Sequence, residues 1–239
     1  MLFSYFYIEY YRNNDSKQFA NKIVTTKKIV KRGRPRGFDI DRAIATALDL
    51  FHRRGYDGVG VAELSKSIGI TAPSLYSAFG NKRSLFERVL KHYIKANGGW
   101  LPAALEQPGS LEEVMTHFFV RAAEVYTDDP DRCGCLVMDS TRNCGDDEAK
   151  ALTAGFQQAT RQVICDRIAM TEPTLSTEAV TALSDYAMTV LVGLSGRARD
   201  GLSRSALCEV ANIAAAGLSQ RLLQYRQESI EKRSVNVCF

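Results

Sequence analysis

"GITAPSLYSAFGNKRSLF", residues 69–86, sets a short helix between two glycines and restarts at once with Asn and Lys. Gly69 breaks one helical pattern and Thr71 offers an oxygen to cap the next. Pro73 falls in the first turn, where its missing N–H costs nothing. Leu75 and Phe79 are four residues apart and point to a core, which leaves Ala72, Ser74, Ser77 and Ala78 for other faces. Gly80 ends the helix. Asn81 caps another, which carries Leu85, Phe86, Val89, Leu90 and Tyr93 inward.

Toward the N-terminus, "VAELSKSIGI" (61–70) gives a short helix with Val61, Leu64 and Ile68 facing in. Before it, Ile40, Ala43, Ile44, Ala47, Leu48 and Phe51 recur at helical spacing, with Asp39 as N-cap and Gly55 as stop. Two short helices joined by a glycine-containing turn make a helix-turn-helix. The second presents small and hydroxyl side chains, which let a helix lie deep in a major groove and bond phosphates or base edges. Tyr76 and Lys82 flank that surface, a phenol and an ammonium suited to backbone phosphates. A lone turn of this kind also reads as an ordinary packed corner; its three-helix setting and the segment upstream of it favour nucleic acid.

That segment is "KKIVKRGRPRGF" (27–38), where Gly and Pro forbid a helix and charge forbids burial. The chain has 239 residues and a net charge of +4, unevenly spread. Residues 1–38 hold nine Lys/Arg against two acids, and the rest holds 22 against 25. A polyanion partner for one end follows from this asymmetry, with a solvated linker as the plainer reading. The opening "MLFSYFYIEYYRNNDSKQ" lacks a basic n-region and a small-residue cleavage site, and Glu9 interrupts its apolar run. It reads as a poorly structured extension, with surface or membrane docking as the other reading. No apolar run reaches the length of a membrane span, so no membrane partner is expected.

From Gly98 the pattern changes. "ANGGWLPAALEQPG" (96–109) reads as a break with turns, and Ser110 with Glu113 forms a capping box that opens a helix to about Thr127. "DDPDRCGC" (128–135) is a loop, and "LVMDSTRNCGDD" (136–147) a short helix or an irregular segment. A long helix starts at Asp146 or Asp147 and ends near Met170. Two more long helices follow, over 178–201 and 203–225. No segment alternates as a strand. The last two helices are rich in small residues (Ala187, Gly193, Ser195, Gly196, Ala214 to Gly217), which favours pairing with a second copy across a two-fold axis; a purely intrachain core is the alternative.

Six cysteines, at 133, 135, 144, 165, 208 and 238, show no secreted disulfide framework, and a reducing cytoplasm is the expected setting. Arg132 and Arg142 are placed to stabilise a thiolate at Cys133, Cys135 or Cys144, the three redox candidates. These three also offer soft ligands for Cu(I), but without zinc-site spacing or a nearby His, and no resident metal is expected. No cofactor is expected either, since there is neither a phosphate-cradling glycine loop nor a nucleophile–base pair.

The motifs "ALDLFHRRGYDGV", "VAELSKSIGI", "APSLYSAFGNKRSLF" and "VLKHY", within residues 33–93, together resemble the DNA-binding domain of the TetR family of bacterial repressors. One departure is Gly60, where the family usually caps the second helix with Ser or Thr. The resemblance implies an all-α fold: a three-helix helix-turn-helix domain over residues 32–93 after an extension (1–31), then a helical ligand-sensing and dimerisation domain (94–228) and a tail (229–239). It implies a homodimer on a palindromic double-stranded DNA operator, released by a small-molecule inducer or by a thiol-reactive or metal signal. Thr71, Ser74, Tyr76 and Lys82 would contact phosphates, and Ala72, Pro73 and Ser77 would lie against bases. Arg32, Arg34 and Arg36 would enter the adjacent minor groove or track the backbone. Candidate inducer-lining residues are Trp100, Phe118, Phe119, Tyr126, Met138, Phe156, Tyr186 and Met188, each also a plain core residue. "RCGCLVM" (132–138) resembles the Gly-Cys-hydrophobic segment of one subgroup, a likeness that reaches Cys135 only. A helical enzyme with a DNA-binding-like appendage and a sequence-tolerant DNA-packaging protein are the competing readings; the first lacks a catalytic constellation, and the second predicts equal binding to all duplexes.

Overall fold

A computed structural model describes residues 38–236, with side chains through 231. Among them every regular element is helical. Helix α1 (Ile40–Arg54) starts where the Asp39 carboxylate accepts from the Asp41 and Arg42 amides at 2.9 and 3.3 Å, and it stops at Gly55. It buries Ala43, Ile44, Ala47, Leu48, Phe51 and His52. Helix α2 (Val61–Ile68) opens at Gly60 without a side-chain cap and closes at Gly69, whose φ of 81° is the left-handed geometry that lets the turn reverse. Helix α3 (Ala72–Phe79) is capped by Thr71, which accepts from the Ser74 amide at 3.3 Å, and α4 (Lys82–Asn97) by Asn81, which accepts from Ser84 at 2.8 Å. Leu64, Leu75, Leu85, Phe86, Val89 and Leu90 are wholly buried between these helices. Phe86 is their centre, with its ring centroid 5.0 Å from both Phe51 and Tyr56. Ala78 belongs to this core too, at 7% exposure, and not to an outer face.

The uncapped start of α2 carries one expected result. Nothing lies within 4 Å of a Cβ built on Gly60, and its φ of −88° suits any residue. Gly60→Ser is therefore expected to add a few tenths of a kcal/mol. A melting scan should show a rise of about 1 °C.

The segment expected to be a break contains helix α5 (Trp100–Leu105). Gly98 and Gly99 mask its start and Pro102 lies in its first turn, where proline is tolerated. Helix α6 (Leu111–Tyr126) begins with the Ser110–Glu113 capping box. A 3-10 turn (Pro130–Arg132) and α7 (Leu136–Asp139) follow, then α8 (Asp147–Thr171), α9 (Thr177–Arg199) and α10 (Arg204–Asn236). Helix α6 packs against α5, α9 and α10, and α9 also packs against α7, α8 and α10. Helix α9 is long and apolar enough to cross a membrane by composition, but it buries Leu183, Ala187, Leu191 and Leu194 inside this bundle.

Helix α4 belongs to both halves. It packs on α1 to close the first core, and on α7 and α8 in the second.

Candidate nucleic-acid interface

The end of α2, the turn and the outer face of α3 enclose an open groove of about 700 Å³. Thr71, Pro73, Ser74 and Ser77 line it together. Tyr76 stands beside it, about half exposed, and Ala72 is half-buried at the start of α3. The Thr71 oxygen is already engaged as cap and lies 2.9 Å from the Ser74 hydroxyl, so these two side chains hold one another in place. The Lys82 Nζ sits 4.0 Å from the centre of the Tyr56 ring, a cation–π contact that positions the half-buried side chain's ammonium at the start of α4. Arg32, Arg34 and Arg36 lie outside the described residues. Lys66, exposed on α2, also lines the groove and was missed in the sequence; a cation one turn before the helix-turn-helix glycine was the available signal.

The loop after α1 fastens this unit to the second half. The Tyr56 amide donates to the Ser140 carbonyl at 2.7 Å, and the Tyr56 hydroxyl donates to the Asp146 carboxylate at 3.0 Å. The Asp57 carboxylate accepts from the Gly145 amide at 2.6 Å and from the Cys144 thiol at 3.2 Å. Asp146 is itself the N-cap of α8, accepting from Glu148 and Ala149 at 3.0 Å. Arg83 pairs with Glu148. Tyr56 thus touches Lys82 on one side and the α8 cap on the other.

This joint has a pH signature. Asp57 is held below the usual carboxylate range, first by the Gly145 amide, and Asp146 likewise by the Ala149 amide. A carboxyl whose folded pKa is depressed contributes fully above its unfolded value of about 3.9, and that contribution disappears as pH falls through the lower folded value. Stability is therefore expected to fall as pH drops below about 4. Asp57→Asn should show a shallower decline in melting scans across that window, from a lower starting point.

The cysteine loop differs from expectation. Arg132 pairs with Asp129 at 2.7 Å and Asp49 at 3.5 Å, and Arg142 with Asp139 at 3.0 Å, so neither guanidinium serves a thiolate. Burial pushes the Cys135 thiol up. Burial and the Asp57 carboxylate push Cys144 up as well. Cys133 is half-buried, its sulfur 3.6 Å from the Asp129 and Pro130 carbonyls. Among the described residues no group of three His, Cys, Asp or Glu side chains is arranged to hold a metal. The Gly-Cys pair has a packing explanation instead. Gly134 has φ 83°, and a Cβ there would meet the Ser195 carbonyl at 2.9 Å, while the Cys135 amide donates to the Ser195 hydroxyl at 2.7 Å.

Four of the eight candidate inducer-lining residues form one aromatic group. Trp100 stacks on Phe118 at 5.7 Å and meets Tyr126 edge-on at 6.1 Å, and Phe119 lies 5.8 Å from Phe118. Met138 is buried, and Phe156 and Met188 are half-buried against the core. Tyr186 stands apart on the outer face of α9, its hydroxyl donating to the Ala214 carbonyl of α10 at 2.9 Å.

A three-helix unit with an exposed hydroxyl-bearing recognition helix, joined to a larger helical bundle, defines a bacterial regulator of transcription. Residues 43–89 match the family of bacterial regulatory proteins, tetR family. The transcriptional repressor BdcR of Escherichia coli K12 is 35% identical over 80% of this chain and 95% of its own length. The repressor ComR of the same organism is 30% identical over 75% and 89%. A cysteine-mutant form of the TetR family regulator CifR, solved with a 26-bp double-strand operator DNA, superposes with a TM-score of 0.69 at 31% identity, covering 77% of this chain and 98% of that one. The chain belongs to the TetR family: it is a DNA-binding transcriptional repressor with a helix-turn-helix.

Proposed function

We propose that the chain acts as a cytoplasmic homodimer that binds a palindromic operator and is released by a small molecule. Residues 32–93 form the DNA-binding domain and 94–228 the sensing and dimerisation domain. Thr71, Ser74, Tyr76 and Lys82 hold phosphates, Ala72, Pro73 and Ser77 face bases, and Arg32, Arg34 and Arg36 follow the strand into the minor groove. The observation that carries this reading is the groove along α3, lined by small and hydroxyl side chains on a helix anchored by Leu75 and Phe79. Dimerisation is supported by α10, along which Val210, Ile213, Leu223 and Ile230 are 45–65% exposed. Apolar side chains gathered this way mark an association surface. A pair of recognition helices one DNA turn apart then matches two half-sites.

The experiment is a gel shift on DNA upstream of the protein's own gene, with random duplex as competitor and with diamide or Cu(I) added in parallel. Preference for one site by several kcal/mol supports the repressor reading. Equal binding to all duplexes, after a genome-wide selection of bound sites, would refute it. Release by diamide or Cu(I) would instead favour a thiol signal, which burial disfavours by pushing the Cys135 and Cys144 thiols up.

A further inference from the structure

Residues 61–79, from the start of α2 to the end of α3, carry two charged side chains, Glu63 and Lys66. Glu63 is neutralised by Arg54 of α1. Lys66 is exposed, sits in the last turn of α2, and is the sole charged side chain lining the groove between α2 and α3. Among the described residues no ion pair or ring contact engages it. The next cations along the chain are committed elsewhere. Lys82 lies over the Tyr56 ring, Arg83 pairs with Glu148, and Arg88 covers the Phe79 ring at 5.4 Å.

The shape of the groove decides which part of a duplex it can hold. Base edges form the floor of a major groove about 8.5 Å deep, and only a protruding element reaches them. A concavity fits a ridge, and the ridge on a duplex is the phosphate strand. With the α3 wall turned into the major groove, the concavity behind it, closed by α2, receives the strand that borders that groove. This strand meets the C-terminal end of α2, whose partial negative charge repels a phosphate. Lys66 offsets that repulsion from within the same turn.

We propose that Lys66 is a phosphate-binding residue of this protein, its ammonium taking one phosphodiester of the strand seated between α2 and α3. The inference rests on the DNA-binding reading above. It adds to that reading a charged contact on α2, where the residues assigned to phosphates so far lie on α3, at its cap or at the start of α4. Such a contact carries no sequence information. It holds the duplex against both helices while α3 side chains face the bases, and it contributes to operator and random DNA alike.

Fluorescence anisotropy of the full chain on a labelled random duplex and on the selected operator, between about 50 and 200 mM salt, reads this contact directly. Each phosphate contact contributes about 0.9 to the slope of log affinity against log salt. Lys66→Gln is expected to reduce that slope by about 0.9 per bound copy, and the affinity by about eight-fold per copy at 0.1 M salt, equally on both duplexes. Lys66→Arg, which keeps the charge, should keep the wild-type slope. The side chain is exposed, so both variants should melt with the wild type. An unchanged slope in Lys66→Gln overturns the proposal. So does a loss confined to the operator, which would make Lys66 a reader of bases. Ser77→Glu, measured in the same series, separates this contact from the reading beneath it. If Ser77→Glu loses DNA and Lys66→Gln does not, only the Lys66 contact is refuted. If neither variant changes binding, the duplex lies on another face and both are refuted.

Discussion

Ser77→Glu is expected to lower operator affinity by at least about 100-fold, roughly 2.7 kcal/mol, while leaving the melting temperature within about 2 °C. Ser77 is exposed on the outer face of α3 and lines the groove proposed to receive DNA. A carboxylate there meets phosphates and base acceptors at short range, and like charges brought together in an interface cost several kcal/mol. Nothing in the core changes, so a thermal scan should stay flat while fluorescence anisotropy on labelled operator collapses. Affinity for random duplex should drop too, because that binding is electrostatic. Ser77→Ala provides the contrast, with a loss below ten-fold. Unchanged affinity in the Glu variant would place the DNA on another face.

Phe86→Ala should have the largest effect on stability, about 4 kcal/mol, or roughly a 10 °C fall in melting temperature. The Phe86 ring is fully buried and packs on both Phe51 and Tyr56. Its removal leaves a cavity at the point where α1, α4 and the interdomain joint converge. Tyr56 then loses the surface that holds it under Lys82 and against Asp146. Operator binding is therefore expected to weaken even below the melting range, unlike in a core truncation distant from the joint such as Leu191→Ala in α9. Equal binding by both variants at matched stability would show that Tyr56 packing does not position the DNA-binding unit.

What could be read in the sequence was local. Asp39, Thr71, Asn81 and Ser110 each cap a helix within three residues of themselves, and all four are found doing so. The helix-turn-helix was legible for the same reason: its glycine, its cap and its i, i+4 apolar pair lie within eleven residues. Helix α5 was hidden by its flanking glycines and internal proline, and Ala78 by being too small for its burial to register as a pattern. The joint was not legible at all. Tyr56 and Asp146 are 90 positions apart, and no periodicity links an aromatic in one loop to the cap of a distant helix. The arginines of the cysteine loop misled for a related reason: adjacency in sequence to Cys133 and Cys144 says nothing of the carboxylates at Asp49 and Asp139 that claim them.

Helix α4 runs from Lys82, packed over the Tyr56 ring, to Tyr93, Ala96 and Asn97, which line a cleft shared with α6. Sixteen residues make a rod about 24 Å long. Pivoted at its cleft end, a tilt of about 5° carries Lys82 by about 2 Å, which is most of a hydrogen-bond length. In a two-fold pair the two rods swing in opposite senses, so the spacing between the half-site contacts changes by up to twice that distance. In the proposed dimer the two rods would work as a pair of callipers, in which a sub-ångström adjustment near the pivot is read out on DNA as a loss of fit, with no helix needing to melt.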